Sequence, residues 1–198
     1  LKITDIRLVI MGVDFGYQNE MFGLIKKLDL SEEIIVIKNP PRDDVISAYG
    51  ESEFLILPSQ WELSPLVPLE SFAFKRPVIS TNSHGIPYTV QNNKNGILVE
   101  PENPVQLSDA IAKLLNNSEL REKLGLEGYN FVHKECNCLS MAKNSLKLYE
   151  NIFLLGGRPA GGPGEPTPGQ PGAVGLSVEL QAQFSLRVSF DLVDSSGL

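Results

Sequence analysis

The chain has 198 residues, of which 42% are hydrophobic and 21% charged, as in an ordinary soluble globular domain. Its formal net charge of −7 argues against nonspecific binding to nucleic acid or anionic lipid, because both require a basic surface. No apolar run approaches the roughly 20 residues that span a bilayer, and the N-terminus shows no secretion signal. We therefore expect a cytoplasmic protein without a transmembrane segment.

Short apolar runs alternate with segments of helical spacing in the first half of the chain. We predict strands at residues 6–11, 34–37, 54–57, 78–79 and 97–99, and helices at 20–28, 43–49 and 66–74. Such alternation is typical of a parallel sheet with helices on both faces, and the strands lack the in-and-out pattern of a half-exposed sheet. The predicted fold class is α/β, a doubly wound Rossmann-like parallel sheet.

Three further helices are predicted after Pro101, over residues 104–115, 118–133 and 139–154. Asn103 is the expected N-cap of the first, and Asn117 or Ser118 that of the second. The third helix has one apolar face, which must pack against something, for instance an absent domain. Its residues are Leu139, Ala142, Leu146, Tyr149 and Ile152.

Composition changes sharply after the third helix. Residues 156–175 are dominated by glycine and proline and predict a linker, so the domain is expected to cover residues 1–155. In the tail, residues 176–198, apolar and polar residues alternate up to Leu192, which predicts a long strand or a tight hairpin. Three readings stay open for the tail: it pairs with the domain, it pairs with another chain, or it is an extension without an evolved role.

Cysteines and histidines offer little chemistry. Cys136 and Cys138 stand too close together for an ordinary disulfide and are predicted to be reduced thiols. Neither His84 nor His133 has a ligand-like neighbour at metal-binding spacing, so we expect no metal site.

Two glutamates eight positions apart, Glu62 and Glu70, carry the most informative pattern. A helix beginning near Ser64, with Pro65 in its first turn, would place Glu62 in the preceding loop. Glu70 would then lie more than one turn inside, roughly 9 Å from the helix start and about the span of a diphosphate. The first backbone N–H groups of a helix bind phosphate, and ligands of open α/β sheets lie at the carboxyl ends of the strands. This pattern predicts metal-free recognition of a sugar phosphate.

The order Pro58-Ser59-x-x-Glu62, seven residues, Glu70, then Pro77-Val78-Ile79-x-Thr81 resembles glycosyltransferase family 4. The similarity runs from about Ile6 to Phe153 and implies half of the two-domain GT-B fold. By this resemblance Glu62 contacts hexose hydroxyls at the catalytic centre and Glu70 binds the ribose, with no covalent nucleophile. The resemblance further implies a donor site that includes Gly12, Lys38, Asn39, Ser64, Leu66, Val67, His84 and Gly85. Within it the amides of Leu66 and Val67 face the diphosphate, while Lys38 and Asn39 lie beside the base.

Several positions depart from the family pattern. Pro65 stands where glycine is common, which removes one phosphate-facing N–H. In the following loop His84 stands where the family often has a second glycine, and Tyr88 where it often has an acidic residue. Trp61, beside Glu62, is either a core anchor or an aromatic side chain facing the ligand.

The resemblance implies the donor-binding part of a retaining glycosyltransferase, which moves a hexose from a nucleoside diphosphate sugar to an acceptor hydroxyl without a cofactor. The family's opening strand–helix unit, with its Gly-Arg pair and lysine, is not found here, nor is the N-terminal acceptor-binding domain. We therefore expect a fragment that is inactive alone, and peripheral membrane contact through the missing half stays open. The alternatives are a stand-alone nucleotide-sugar-binding or assembly module, and a part of another GT-B enzyme, such as an epimerase or a phosphorylase.

Overall fold

The computed structural model describes residues 6–14, 16–154 and 187–192. Six strands lie in this part of the chain: β1 (Ile6–Gly12), β2 (Ile34–Lys38), β3 (Leu55–Leu57), β4 (Val78–Thr81), β5 (Gly96–Val99) and β6 (Arg187–Leu192). The helices are α1 (Gln18–Lys27), α2 (Arg42–Glu51), α3 (Val67–Ala73), α4 (Ile86–Thr89), α5 (Pro104–Leu115), α6 (Ser118–Glu135) and α7 (Cys138–Leu154). Each predicted strand and helix of the first 154 residues therefore has a counterpart, displaced by at most a few residues.

The strands form one sheet in the order β2-β1-β6-β3-β4-β5. The pairs β1–β2, β3–β4 and β4–β5 are parallel, whereas β6 is antiparallel to both of its neighbours, β1 and β3. The predicted α/β class with a parallel sheet and C-terminal helices is confirmed, with the difference that one antiparallel strand lies inside the sheet.

Helices pack on both faces of the sheet, as the unbroken apolar strands predict, and β3 and β4 are buried at every residue. One face packs against α5 and α6, and its cluster includes Ile10, Ile56, Ile79 and Leu114. The other face packs against α2, α3 and α4, and includes Leu55, Val78, Tyr49 and Phe72. Neighbouring residues of a strand point to opposite faces, so Leu55 and Ile56 enter different clusters. The sheet is therefore doubly wound.

Side chains cap α5 and α6 as the sequence indicates. Asn103 Oδ1 accepts a hydrogen bond from the backbone N–H of Gln106 at 3.0 Å. Asn117 Oδ1 accepts one from Leu120 at 2.9 Å, which identifies Asn117 rather than Ser118 as the cap of α6. Helix α4 was predicted as loop, because four residues are too few to show helical periodicity.

The chain divides into two compact units, one covering residues 1–134 together with 183–198 and the other covering 135–182. In the first unit lie the sheet and helices α1 to α5, with nearly all of α6. In the second unit the described element is α7, whose predicted apolar face is exposed at Leu139, Leu146, Tyr149 and Ile152. The domain boundary at residue 155 and the linker at 156–175 lie outside the described residues and stay predictions.

Part of the alternating tail is a strand of the domain. Residues 187–192 form β6, with Ile10 and Ile56 both paired to Val188. Of the three readings of the tail, pairing with the domain is the one found. The remainder of the predicted strand, from residue 176 to 186, lies outside the described residues.

Candidate functional site

The carboxyl ends of the five parallel strands lie at one edge of the sheet, where ligands of doubly wound proteins bind. The loop between β3 and α3 is fastened there by the loop after β4. Ser83 Oγ donates to the Gln60 carbonyl at 2.6 Å, Gly85 N donates to the Glu62 carbonyl at 2.8 Å, and Thr81 Oγ1 donates to the Ser59 carbonyl. These bonds fix the backbone that carries Glu62.

Glu62 is nearly buried, with 6% of its surface exposed. Its Oε1 accepts a hydrogen bond from Ser59 Oγ at 3.2 Å. Burial raises the pKa of the Glu62 carboxyl, and the bond from Ser59 lowers it by a smaller amount. A partly desolvated carboxylate interacts strongly with polar groups placed against it, because little water screens the interaction.

Gly85 allows the close approach of the two loops. A side-chain carbon on this residue would lie 1.7 Å from the carbonyl oxygen of Leu63, far inside contact distance. Only glycine fits between the loop after β4 and the residue that follows Glu62. The structure thus brings two predicted site residues, Glu62 and Gly85, together through backbone contact.

The helix after Glu62 begins later than predicted. Helix α3 starts at Val67, with Leu66 as the N-cap and Pro68 in the first turn, so the predicted start near Ser64 is wrong. A helix from Ser64 would require the Pro68 N–H, which does not exist, to bond the Ser64 carbonyl. Pro68 therefore moves the start, because its missing N–H costs nothing in a first turn.

The later start changes the position of Glu70. Glu70 lies in the first turn of α3, roughly 4.5 Å of helix rise from Val67, and not more than one turn inside. The Leu66 side chain is exposed and that of Val67 is buried. The first N–H groups of any helix have no intrahelical acceptor, so the amides of both residues remain suited to bind an anion. Ser64 is exposed in the preceding loop.

Two residues of α2 hold the Glu70 carboxylate. Arg42 Nη2 donates to Glu70 Oε1 at 2.7 Å, and Tyr49 Oη donates to Oε2 at 2.8 Å. The nearby carboxylate raises the pKa of Arg42, chiefly through this hydrogen bond. The carboxylate oxygens are thus both oriented by α2.

Three predicted residues lie where β1 and β2 end. The backbone N–H of Asn39 donates to the Gly12 carbonyl at 2.9 Å, and Lys38 pairs with Gly12 in the sheet register. Asn39 has a positive φ of 46°, which an asparagine tolerates at a tight turn. Lys38 Nζ lies 5.3 Å from the ring centroid of Phe22, so its ammonium group makes a cation–π contact with α1.

His84 and Trp61 flank the Glu62 loop. His84 is exposed, with its Nδ1 2.6 Å from Ser83 Oγ, and its ring meets the Trp61 ring edge-on at a centroid distance of 5.9 Å. Trp61 is 46% exposed. It is therefore a surface aromatic beside Glu62 and not a core anchor.

The structure forms three groups from the predicted residues: Glu62 with His84 and Gly85, Glu70 at the start of α3, and Gly12 with Lys38 and Asn39. Sequence reasoning missed Arg42 and Tyr49 as partners of Glu70. The available signal was their seven-residue spacing, which puts both on one face of α2. Their pairing with Glu70 spans 28 positions for Arg42 and 21 for Tyr49, so no local pattern identifies Glu70 as the partner.

The described residues contain neither a candidate metal site nor a candidate membrane-spanning helix. No cluster of three or more His, Cys, Asp or Glu side chains has the arrangement needed to hold a metal ion. Across the same residues, none of the helices combines the length and hydropathy required to cross a bilayer. Both cysteines are exposed free thiols.

Comparison with known proteins identifies the family. The family model described as glycosyl transferases group 1 matches residues 1–131. An uncharacterized glycosyltransferase of Methanocaldococcus jannaschii is 39% identical over 134 residues, which cover 68% of this chain and 38% of the relative. The chain thus spans about two fifths of the length of that relative.

Solved structures agree on the fold. The C-terminal domain of a glycosyl transferase group 1 family protein from Francisella tularensis aligns with a TM-score of 0.58 at 28% identity, covering 63% of this chain and 65% of that one. Anabaena HepE, solved in complex with UDP-glucose, aligns with a TM-score of 0.65 at 16% identity, covering 72% of this chain and 40% of HepE. The chain belongs to the glycosyl transferases group 1 family and has the Rossmann-like fold of one half of a GT-B glycosyltransferase.

Proposed function

We propose that this chain binds the nucleoside diphosphate sugar of a retaining hexosyltransferase of family 4. The observation that supports this most is the arrangement of Glu62 and Glu70 on either side of the start of α3, at the carboxyl edge of the sheet. The occurrence of UDP-glucose in the structure of HepE, which shares the fold, is consistent with a donor of this class.

In this proposal the donor lies across the start of α3. Its diphosphate accepts hydrogen bonds from the amides of Leu66 and Val67, with Ser64 alongside. A helix dipole stabilises a nearby anion by only about 0.3 to 1 kcal/mol, so these amides supply part of the affinity and the carboxylates the rest. Glu70 accepts hydrogen bonds from the ribose hydroxyls.

The hexose lies on the Glu62 side. The Glu62 carboxylate accepts hydrogen bonds from hexose hydroxyls, while Gly85 and His84 line the same side through the loop after β4. Lys38, Asn39 and Gly12 lie at the ends of β1 and β2, on the base side of the ribose. Recognition of this kind needs no metal and no cofactor.

The complete reaction needs an acceptor as well as a donor. The sugar moves to an acceptor hydroxyl with retention at the anomeric carbon, and the leaving phosphate receives the acceptor proton, so this half requires no general base of its own. A facing domain would position the acceptor and exclude water. We propose that residues 1–155 bind the donor, that an N-terminal acceptor-binding domain acts with them in the cytoplasm, and that the chain alone does not turn the donor over.

Fluorescence of Trp61, the single tryptophan of the chain, tests donor binding. The chain is titrated with UDP, GDP and ADP and with UDP-glucose, GDP-mannose and ADP-glucose, and calorimetry repeats the best pair. Glu62→Gln should lower affinity for the nucleotide sugar roughly tenfold or more while leaving the bare nucleotide unaffected, since a hydrogen bond to a charged group contributes about 1.5 to 3 kcal/mol.

Two further variants complete the experiment. Glu70→Gln should weaken the nucleotide and the nucleotide sugar by the same factor, because both carry the ribose. Glu127→Gln, on an exposed position of α6, should change neither affinity. The proposal fails if none of the six compounds binds, or if Glu62→Gln weakens bare nucleotides as much as nucleotide sugars.

A further inference from the structure

Arg42 is a cation at the first position of α2, a place where helix electrostatics disfavour positive charge. The acidic residues Asp43 and Asp44 that follow it are of the kind this position favours. The location of Arg42 is thus not explained by the stability of its own helix. Its partner lies on another element, at the start of α3.

The bonds from Arg42 and Tyr49 engage the two oxygens of the Glu70 carboxylate separately. A carboxylate anchored at both oxygens cannot rotate without breaking a bond. A carboxylate offers about four acceptor positions, and the Glu70 side chain is 25% exposed, so a ligand can reach it from solvent. A hydroxyl group arriving from solvent therefore meets a carboxylate whose direction is already set.

Arg42 also neutralises the charge of the Glu70 carboxylate. A lone carboxylate beside a diphosphate repels it, and the chain as a whole carries a formal net charge of −7. Arg42 cancels the charge of Glu70 at a distance of 2.7 Å. Its own side chain is 57% exposed, and a guanidinium has five N–H donors, so it remains accessible to an anionic ligand.

We propose that Arg42, with Tyr49, positions Glu70 so that the site selects ribonucleotides over deoxyribonucleotides, an inference that rests on the proposed donor site. Arg42 acts through Glu70 and is a positioning residue. It also makes an acidic side chain compatible with an anionic ligand. Recognition of the ribose then depends on α2 as much as on α3.

The test compares the full chain's affinity for UDP, GDP and ADP with that for dUDP, dGDP and dADP. The protein should bind its preferred ribonucleotide about tenfold more tightly than the deoxy form, the effect of one hydrogen bond to a carboxylate. Arg42→Ala should lower affinity and reduce the preference to less than about threefold. Arg42→Lys should recover much of the affinity, since it keeps the charge, but not the full preference, since it lacks the planar fork.

Tyr49→Phe removes only the second anchor and should reduce the preference while leaving the charge intact. Glu53→Gln breaks the ion pair with Arg121 at 2.8 Å, which involves neither Arg42 nor Glu70, and serves as the matched control with an unchanged preference. A merely structural role of Arg42 would shift both affinities by one factor and leave their ratio constant, which would overturn the inference.

The outcome separates this inference from the proposed function. Binding of ribonucleotides without any preference over deoxyribonucleotides overturns the roles of Arg42 and Glu70 at the ribose and leaves donor binding itself intact. Absence of binding by all six nucleotides overturns this inference, and absence of binding by the three nucleotide sugars as well overturns the proposed function.

Discussion

Replacing Gly85 by alanine tests whether the loop after β4 sets the position of Glu62. The added carbon would lie 1.7 Å from the Leu63 carbonyl oxygen and 2.4 Å from the carbonyl carbon, where real contacts are essentially never below 3.0 Å. The two backbones must separate by at least about 1.3 Å, since no side-chain rotation relieves a clash with a carbonyl. Gly85 has a φ of −81°, which any residue adopts, so the effect is one of packing and not of backbone strain.

The expected loss of stability in Gly85→Ala has two contributions. Overpacking costs about 1 to 3 kcal/mol, and separation also breaks the bond from Gly85 N to the Glu62 carbonyl, which contributes about 1 kcal/mol. We expect Gly85→Ala to lower the free energy of unfolding by about 2 to 4 kcal/mol, measured by urea denaturation with circular dichroism. Because Glu62 moves with its backbone, affinity for the nucleotide sugar should fall as well.

Gly50→Ala is the matched control. An added carbon on Gly50, in α2, meets only a ring carbon of Phe74, the C-cap of α3, at 3.9 Å, which is an ordinary contact. Alanine is the better helix residue, so this variant should gain about 0.5 to 1 kcal/mol. A Gly85→Ala protein that loses less than about 0.5 kcal/mol and keeps its ligand affinity would refute the reasoning about the two loops.

Other substitutions test the buried carboxyl, the core and a helix cap. Burial raises the pKa of Glu62 above its ordinary 4.5, so the folded chain holds this proton more tightly than the unfolded chain, and stability should fall as pH rises from 4.5 through the raised pKa. Glu62→Gln should remove that slope, measured by urea midpoints at several pH values. Leu114→Ala, at a fully buried position, should cost about 2 to 5 kcal/mol in thermal or urea unfolding, whereas Leu126→Ala, 49% exposed, should cost far less. Asn103→Ala should cost about 0.5 to 2 kcal/mol by losing the cap of α5, and Asn103→Asp should retain stability within a few tenths, both measured by urea denaturation.

The elements of the sheet could be predicted because their signals are local. Each strand of the parallel sheet is a short apolar run, and helices α1, α2 and α3 between these strands show helical spacing. The caps Asn103 and Asn117 act on residues three positions away, so their role is also visible in the sequence. The carboxyl edge then follows from strand direction alone.

The features that the sequence did not predict depend on contacts between distant segments or on the choice between two prolines as the first-turn residue. The start of α3 was misplaced because Pro65 was given the first-turn position that Pro68 occupies. The bond between Arg42 and Glu70 joins two helices, and the sequence spacing within either helix does not reveal it. The alternating tail indicated a strand, but nothing in its pattern identified β1 and β3 as the neighbours of β6.

The central position of β6 in the sheet affects folding during synthesis of the chain. Strands β1 and β3 both pair with β6, and the sheet order joins β2–β1 to β3–β4–β5 only through it. Met11 pairs with Arg187, about 176 positions away, so the central ladder has very high contact order. During translation the two parts of the sheet must wait, with their inner edges uncovered, until residue 192 has emerged from the ribosome. Unpaired strand edges of this kind can pair with other polypeptides, so this interval of synthesis is the one in which the chain is most prone to aggregate.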